Sequence, residues 1–411
     1  MRSADPRGII ELGNINIKCL IFKINNGDTS EILSTAITRS EGIHNGVIVN
    51  PTNASRAIRS CISASEKKAK VSLKKINVVV EQPEFLCTKF SKHRKIDGSK
   101  IHKDDIEFLL KEAKKQVTHN DDKQSIIHIF NHNYIVDGKT FVEEPIDVYA
   151  DSLSHEMTFV TMPKNNIKNI NQVFMDSDIE VERLISCTFA LAAKLLSDNE
   201  LQFGSILIDI GFEKTSLGLF KNLALIHSIT FSIGINHIIK DISKVCSLNL
   251  GESENIINKI DFSFQNNEEL FDENDYLKDV YFNNSSFRKI SKSLILNIAR
   301  ARLDEIFEMI KKQISGTVFN SNLGINFFIA GGGSNLFNLE KYCSNFFGLK
   351  VKKSDKNNKK ESETQYDEKF ASCLGALRII RDGWETEAIP ELINTDSQKI
   401  GIFGKIFGNM Q

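Results

Sequence analysis

The chain has 411 residues, more than one hydrophobic core organises, so it is expected to divide into two to four subdomains. Its formal net charge of −1 provides no electrostatic footprint for nucleic acid. No stretch approaches the ~20 continuous apolar residues of a membrane span, so the chain reads as soluble or peripheral.

Gly8-Ile9-Ile10-Glu11-Leu12-Gly13 followed by Ile17-Lys18-Cys19-Leu20-Ile21-Phe22 reads as two apolar strands joined by an acid-x-Gly turn. A third strand is expected over 31–37. After a glycine-punctuated loop at 41–49, a helix follows over 52–68, with Ala54, Ala57, Ile58, Cys61 and Ile62 at helical spacing. Residues 76–80, INVVV, read as a further buried strand.

Residues 82–163 break this pattern and are bracketed by Pro83 and Pro163. They suggest a strand-like start, a charged helix over 102–117 and strands at 126–130 and 157–160. His128 and His132 lie four apart in an alternating segment, a poor arrangement for a metal site. Helix then resumes at 170–175, with a strand at 181–185 and a helix at 188–196.

The opening pattern then repeats. Residues 205–220, SILIDIGFEKTSLGLF, form a second hairpin with Asp209-Ile210-Gly211 at its turn. A third strand (223–233) follows, and Gly234 opens a helix over 235–245. An acid-x-Gly turn after a strand can present backbone N–H groups to a phosphate while the carboxylate holds a hydrated Mg²⁺. Two such β-β-β-α halves could grip a phosphate chain from both sides. Residues 251–290 are acidic and Asn-rich, and 290–314 read as a long amphipathic helix carrying Arg302 and Glu305. The strand 326–329 ends in Gly331-Gly332-Gly333, where a flat ring could lie against bare backbone. Helices at 336–346 and 370–380 flank a charged low-complexity loop at 352–363. The seven cysteines are scattered singly, without a Cys-x-x-Cys pair or a secretion signal, and read as buried thiols in a reducing cytoplasm.

The tail after a polar linker (383–398) segregates cleanly. At ~100° per residue, Ile400, Ile402, Phe403, Ile406, Phe407 and Met410 fill one face, and glycines, Lys405, Asn409 and Gln411 fill the other. Six such side chains, partly buried, give roughly 6–10 kcal/mol before folding costs, so one tail is a reversible interfacial anchor on an anionic membrane surface. Many such tails on one assembly would hold by avidity.

In this order, the two acid-x-Gly turns and the triple-glycine loop resemble the phosphate and adenosine motifs of the actin/Hsp70/sugar-kinase superfamily. With the block at 82–163 and the tail, the chain resembles the bacterial cell-division FtsA family. The resemblance implies an α/β duplicated, actin-like (ribonuclease H-like) fold. Subdomain 1A would take 1–81 and 164–200, an inserted 1C (SHS2) subdomain 82–163, subdomain 2A 201–240 and 315–382, and subdomain 2B 241–314, with the membrane-targeting helix at 399–411. It implies ATP and Mg²⁺ bound by Glu11, Gly13, Asn14, Asp209, Gly211, Thr215, Gly234, Arg302, Glu305, Gly331, Gly332 and Gly333, with Asp209 on the metal through water. The partners it implies are FtsZ, through a C-terminal peptide at the second-half small subdomain, further copies of the chain, other divisome proteins and the cytoplasmic face of the membrane at the septum.

The loops depart from the family pattern. Glu11, Asn14 and Asn16 stand where that pattern has Asp, a hydroxyl and a lysine. Phe212-Glu213-Lys214 replace Gly-Gly-Thr, and Glu213 would bring negative charge near the phosphates unless Lys214 answers it. Nucleotide binding with slow or absent hydrolysis is therefore expected. A sugar- or acetate-kinase-like phosphotransferase and a pilus-assembly scaffold are the alternative readings.

Overall fold

The computed structural model describes residues 5–25, 29–141, 143–263, 277, 290–317, 325–353 and 369–383. The chain divides into two units, one of residues 1–203, 218–230 and 359–411, the other of 204–217 and 231–358.

In the first unit, β1 (Arg7–Leu12) runs antiparallel to β2 (Asn16–Ile24), which pairs with β3 (Ser30–Arg39). Ile9 and Ile10, on opposite faces of β1, are both fully buried, so this strand is covered on both sides. The glycine-punctuated loop forms a small hairpin of β4 (Ile43–His44) and β5 (Val47–Ile48). Helix α1 (Pro51–Ala69) starts where Asn50 accepts the Asn53 N–H at 3.1 Å with Pro at the first helical position, and it stops at Lys70 in the left-handed region. Its buried face contains Ala54, Ala57, Ile58, Cys61 and Ile62, the spacing seen in the sequence. Strand β6 (Lys75–Val80) lies parallel to β1.

The chain then leaves this sheet for β7 (Leu86–Lys100), α2 (Lys103–Asn120), β8 (Gln124–Val136), β9 (Lys139–Phe141) and β10 (Tyr149–Pro163). They form a separate four-stranded antiparallel sheet in the order β7-β10-β8-β9. α2 buries Ile106, Leu109, Leu110, Ala113 and Val117 in clusters with Leu153, Met157 and Phe159 of β10. The strands are much longer than the sequence suggested, because lysines and arginines alternate with Phe90 and Ile96 along the edge strand β7. Polar residues on both faces of an edge strand hide its period.

The insertion is tied to the first sheet at its root. Gln82 donates to the Gly46 carbonyl at 2.6 Å and accepts from Asn166 at 2.8 Å. His128 of β8 is fully buried between Phe130 and Phe189, and its Nε2 accepts the Ser186 N–H at 2.9 Å. The buried Glu81 carboxylate accepts from the Ser186 hydroxyl at 2.8 Å and the Thr188 N–H at 2.9 Å.

After α3 (Lys164–Met175) the chain re-enters the first sheet as β11 (Glu180–Ser186), giving the order β11-β6-β1-β2-β3. Helices α4 (Cys187–Leu195) and α5 (Asp198–Phe203) follow. The chain then forms β12 (Ser205–Ile210), β13 (Thr215–Lys221) and β14 (Ala224–Phe231).

The second unit continues with α6 (Ile235–Cys246), α7 (Leu250–Ile257) and α8 (Lys292–Ser315). Strand β15 (Asn326–Ala330) leads into a 3₁₀ turn over Gly332–Asn335, then α9 (Leu339–Phe347) and β16 (Val351–Lys353). Strands β12, β15 and β16 are parallel neighbours in that order. The sequence placed one helix over 336–346. The structure instead makes the 3₁₀ turn first, and α9 begins three residues later.

The first unit regains the chain at α10 (Ala371–Arg381), which packs on α4. A Cβ on Gly375 would stand 1.7 Å from the Ala190 carbonyl oxygen, so the backbones of these two helices touch. None of the seven cysteines is in a disulfide, and Cys19, Cys61, Cys343 and Cys373 are buried while Cys87, Cys187 and Cys246 are partly exposed.

Candidate nucleotide site

β12 is buried along its length except at Asp209, and Asp209 stands opposite Ala330 in the parallel ladder with β15. The two neighbouring strands therefore deliver Asp209-Ile210-Gly211 and Gly331 to one edge, at their carboxyl ends, where open parallel sheets bind ligands.

The turn after β12 is fixed by its own backbone. Gly211 N–H donates to the Lys214 carbonyl at 2.8 Å, while the carbonyls of Gly211 and Phe212 accept from Ile235 and Asn236 at the start of α6, at 3.1 and 2.8 Å. Gly234 permits this approach, since a Cβ there would lie 2.6 Å from both carbonyl oxygens. With the carbonyls held by α6, the N–H groups of Phe212 and Glu213 make no hydrogen bond to another described residue. Successive uncommitted N–H groups in a turn form an anion-binding concavity. The Glu213 carboxylate accepts from Asn236 Nδ2 at 2.6 Å. Thr215 is buried and its hydroxyl donates to the Ile233 carbonyl at 2.8 Å.

The three glycines are not equivalent. Gly331 has φ 81°, and a Cβ on it would stand 2.2 Å from Asp209 Oδ1. A Cβ on Gly333 would meet the side chains of Ile210 and Ile235 at 2.6–2.9 Å. Beside Gly332 there is nothing within 4 Å, so space for a flat ring lies at this one of the three.

Arg302 on α8 is committed elsewhere in the same unit. Its guanidinium makes a two-pronged bond to Asp241 on α6, at 2.7 and 3.1 Å, and reaches Glu305 one turn on. Burial works against the charge, but the Asp241 hydrogen bond dominates and the guanidinium pKa is raised. The pair expected as Arg302 with Glu305 is thus a three-residue clamp between two helices.

Glu11, Gly13 and Asn14 belong to the first unit. Glu11 stands directly opposite Lys18 in the β1–β2 ladder, and Lys18 Nζ lies 3.1 and 2.9 Å from its two oxygens. Burial lowers the Lys18 pKa, yet the Glu11 charge and hydrogen bond outweigh it and hold the ammonium above its ordinary range. The Ser372 hydroxyl at the start of α10 donates to Glu11 Oε2. Asn14 Nδ2 donates to Asn45 Oδ1 at 3.4 Å, and Asn14 Oδ1 is buried without a partner. No group of three or more His, Cys, Asp or Glu among the described residues could hold a metal ion alone.

Lys18, Asn236 and Ser372 were missed in the sequence. Lys18 could have been found by counting outward from the 13–16 turn, because Leu12 pairs with Ile17 and Glu11 therefore with Lys18. Ile400, Ile402, Phe403, Ile406, Phe407 and Met410 lie outside the described residues, as do the linker from 384 onward and the charged loop from 354 to 363.

The family model for the SHS2 domain inserted in FtsA matches residues 85–161, and that for cell division protein FtsA matches 206–375. Cell division protein FtsA of Borreliella burgdorferi is 23% identical over 410 residues, covering 97% of this chain and 96% of that protein. That of Agrobacterium fabrum is 23% identical over 357 residues, covering 84% and 80%. Among solved structures, a chain of the PilM-PilN type IV pilus biogenesis complex superposes with TM-score 0.63 at 12% identity, covering 91% of this chain and 98% of that one. MreB5 of Spiroplasma citri bound to ADP gives 0.54 at 14% identity, covering 92% and 98%. The fold is therefore actin-like, with the SHS2 sheet of β7–β10 inserted between β6 and α3.

Proposed function

Because the chain belongs to the FtsA family of bacterial cell-division proteins, we propose that it is an actin-like, nucleotide-binding subunit that polymerises and tethers FtsZ filaments to the cytoplasmic membrane. The observation that carries this reading is the inserted four-stranded sheet, held by Glu81, Gln82 and His128 at its root. The insertion matches the SHS2 domain inserted in FtsA over residues 85–161, which favours this reading over a phosphotransferase.

MreB5 structures hold ADP and AMPPNP, and ATP is the ligand proposed here. The N–H groups of Phe212 and Glu213 would receive phosphate oxygens, Asp209 would hold the water shell of Mg²⁺, and Gly332 would face the base. Mg²⁺ on ATP spreads charge across the phosphate chain. Nothing described supplies a positioned base for water, so turnover slower than about 1 s⁻¹ is expected, with function resting on the bound state.

The proposed seat of the FtsZ peptide is a cavity of about 290 Å³ in the second unit, lined by Ile256, Lys259, Ile260, Asp261, Lys292 and Leu296. Apolar walls with two lysines suit an extended peptide ending in a carboxylate.

Sedimentation with anionic vesicles, with and without ATP and FtsZ, tests the reading. The full chain should sediment and carry FtsZ with it, and a chain lacking residues 400–411 should stay in solution with an unchanged melting transition. A truncated chain that still sediments, or that unfolds, would remove the tail as the anchor.

A further inference from the structure

Resting on the nucleotide reading above, we propose that Glu11 is the built-in counter-ion of Lys18 and not a metal ligand. It weakens nucleotide binding by neutralising the cation that β2 places beside the first loop, and Ser372 is the residue that positions it. Both Glu11 oxygens face Lys18 Nζ, at 3.1 and 2.9 Å, and the Ser372 hydroxyl takes a further site on Oε2. The Glu11 side chain is 14% exposed and that of Lys18 23%, so the pair is largely withdrawn from solvent screening.

Mg²⁺ demands near-octahedral oxygen ligation and keeps its waters. A carboxylate that already holds an ammonium on both oxygens and a hydroxyl on one enters that shell only by giving up its pairing with a cation of like sign. The pair lies at the loop itself, since a Cβ on Gly13 would stand 3.6 Å from Glu11 Oε1. A polyphosphate arriving there meets a neutral pair where an unpaired lysine would attract it. Ser372 sits in the first turn of α10, which Gly375 holds against α4, so the hydroxyl is presented from a fixed element. The device thus connects the first loop to the last described helix.

The two roles for Glu11 predict opposite signs. Titrating the full chain with a fluorescent ATP analogue, Glu11→Gln should bind about tenfold more tightly than wild type, by the same factor in Mg²⁺ and in EDTA. Lys18→Gln should bind more weakly in both buffers, and the double variant should return close to wild type, because the two opposite charge changes cancel. Ser372→Ala should share the altered affinity in part, with Ser372→Thr restoring it, while the melting midpoint without nucleotide changes little. If Glu11→Gln weakens binding in Mg²⁺ and not in EDTA, Glu11 is a metal ligand and the proposal is overturned. A Glu11→Gln chain that fails to fold leaves the Lys18→Gln and Ser372 variants to decide, and unchanged affinity in all of these would also overturn it. Absence of nucleotide binding by the wild type would sink both this proposal and the nucleotide reading, whereas a wrong sign at Glu11 sinks only this one.

Discussion

The Asp209 carboxylate rests against Gly331, so closely that any side chain at 331 would begin 2.2 Å from Asp209 Oδ1. The acidic turn and the glycine loop, 122 positions apart in sequence, are therefore one surface, built by the parallel pairing of β12 with β15. Glycine at 331 is required by the carboxylate as well as by its φ of 81°.

The glycine loop gives a differential test. Gly332→Ala adds a methyl to open space, so the ligand-free melting midpoint should be unchanged while ATP affinity falls about tenfold. Gly333→Ala drives a Cβ into Ile210 and Ile235 and should lower the midpoint itself, by the roughly 1–3 kcal/mol of an overpacked site. Full ATP affinity in Gly332→Ala would take that residue out of the base pocket.

Helix contact in the first unit is equally specific. Gly375→Ala must separate α10 from α4, where the Ala190 carbonyl lies 1.7 Å from the new Cβ. A loss of about 3 kcal/mol in urea unfolding is expected. A loss under 0.5 kcal/mol would show that the helices part freely.

Much of this architecture was legible from residues alone. Apolar runs bounded by turn residues marked β1, β2 and β12, which are buried on both faces, and period-3.6 patterns marked α1 and α6, each with one buried face. The polar edge strand β7 and the three-residue β16 were not legible, having no clear apolar period. The candidate site was legible as motifs but not as partners. Glu213 and Asn236 lie 23 positions apart, Glu11 and Ser372 lie 361 apart, and only the folded chain brings them together. Side chains predicted to face a ligand, Thr215 and Glu11, have hydrogen bonds within the protein that no local pattern announces.

Arg302 separates a structural role from a ligand role. Arg302→Met removes the clamp between α6 and α8 and should cost about 1 kcal/mol, discounted for partial exposure, in urea with or without ATP. Loss of the ATP-induced shift with no change in the ligand-free transition would assign the guanidinium to the nucleotide instead.

His128 makes stability depend on pH. Burial holds its imidazole down at about 3, against an ordinary 6.5, and its Nε2 must stay unprotonated to accept from Ser186. The unfolded chain takes up this proton below pH 6.5 and the folded chain does not until about 3. This contribution is complete above pH 6.5 and is lost as pH falls through that window, by about 2 kcal/mol at pH 5. His128→Gln should flatten that part of the profile. Equal slopes for the two proteins between pH 6.5 and 5 would contradict the assignment.

The measurement that bears most directly on the account is the melting of wild-type protein and Asp209→Ala with and without ATP and Mg²⁺. Mass action should raise the wild-type midpoint in proportion to the logarithm of ATP concentration above Kd, and Asp209→Ala should show no shift while melting normally without ligand. An Asp209→Ala protein that keeps the full ATP-dependent shift would contradict a nucleotide site built on this turn.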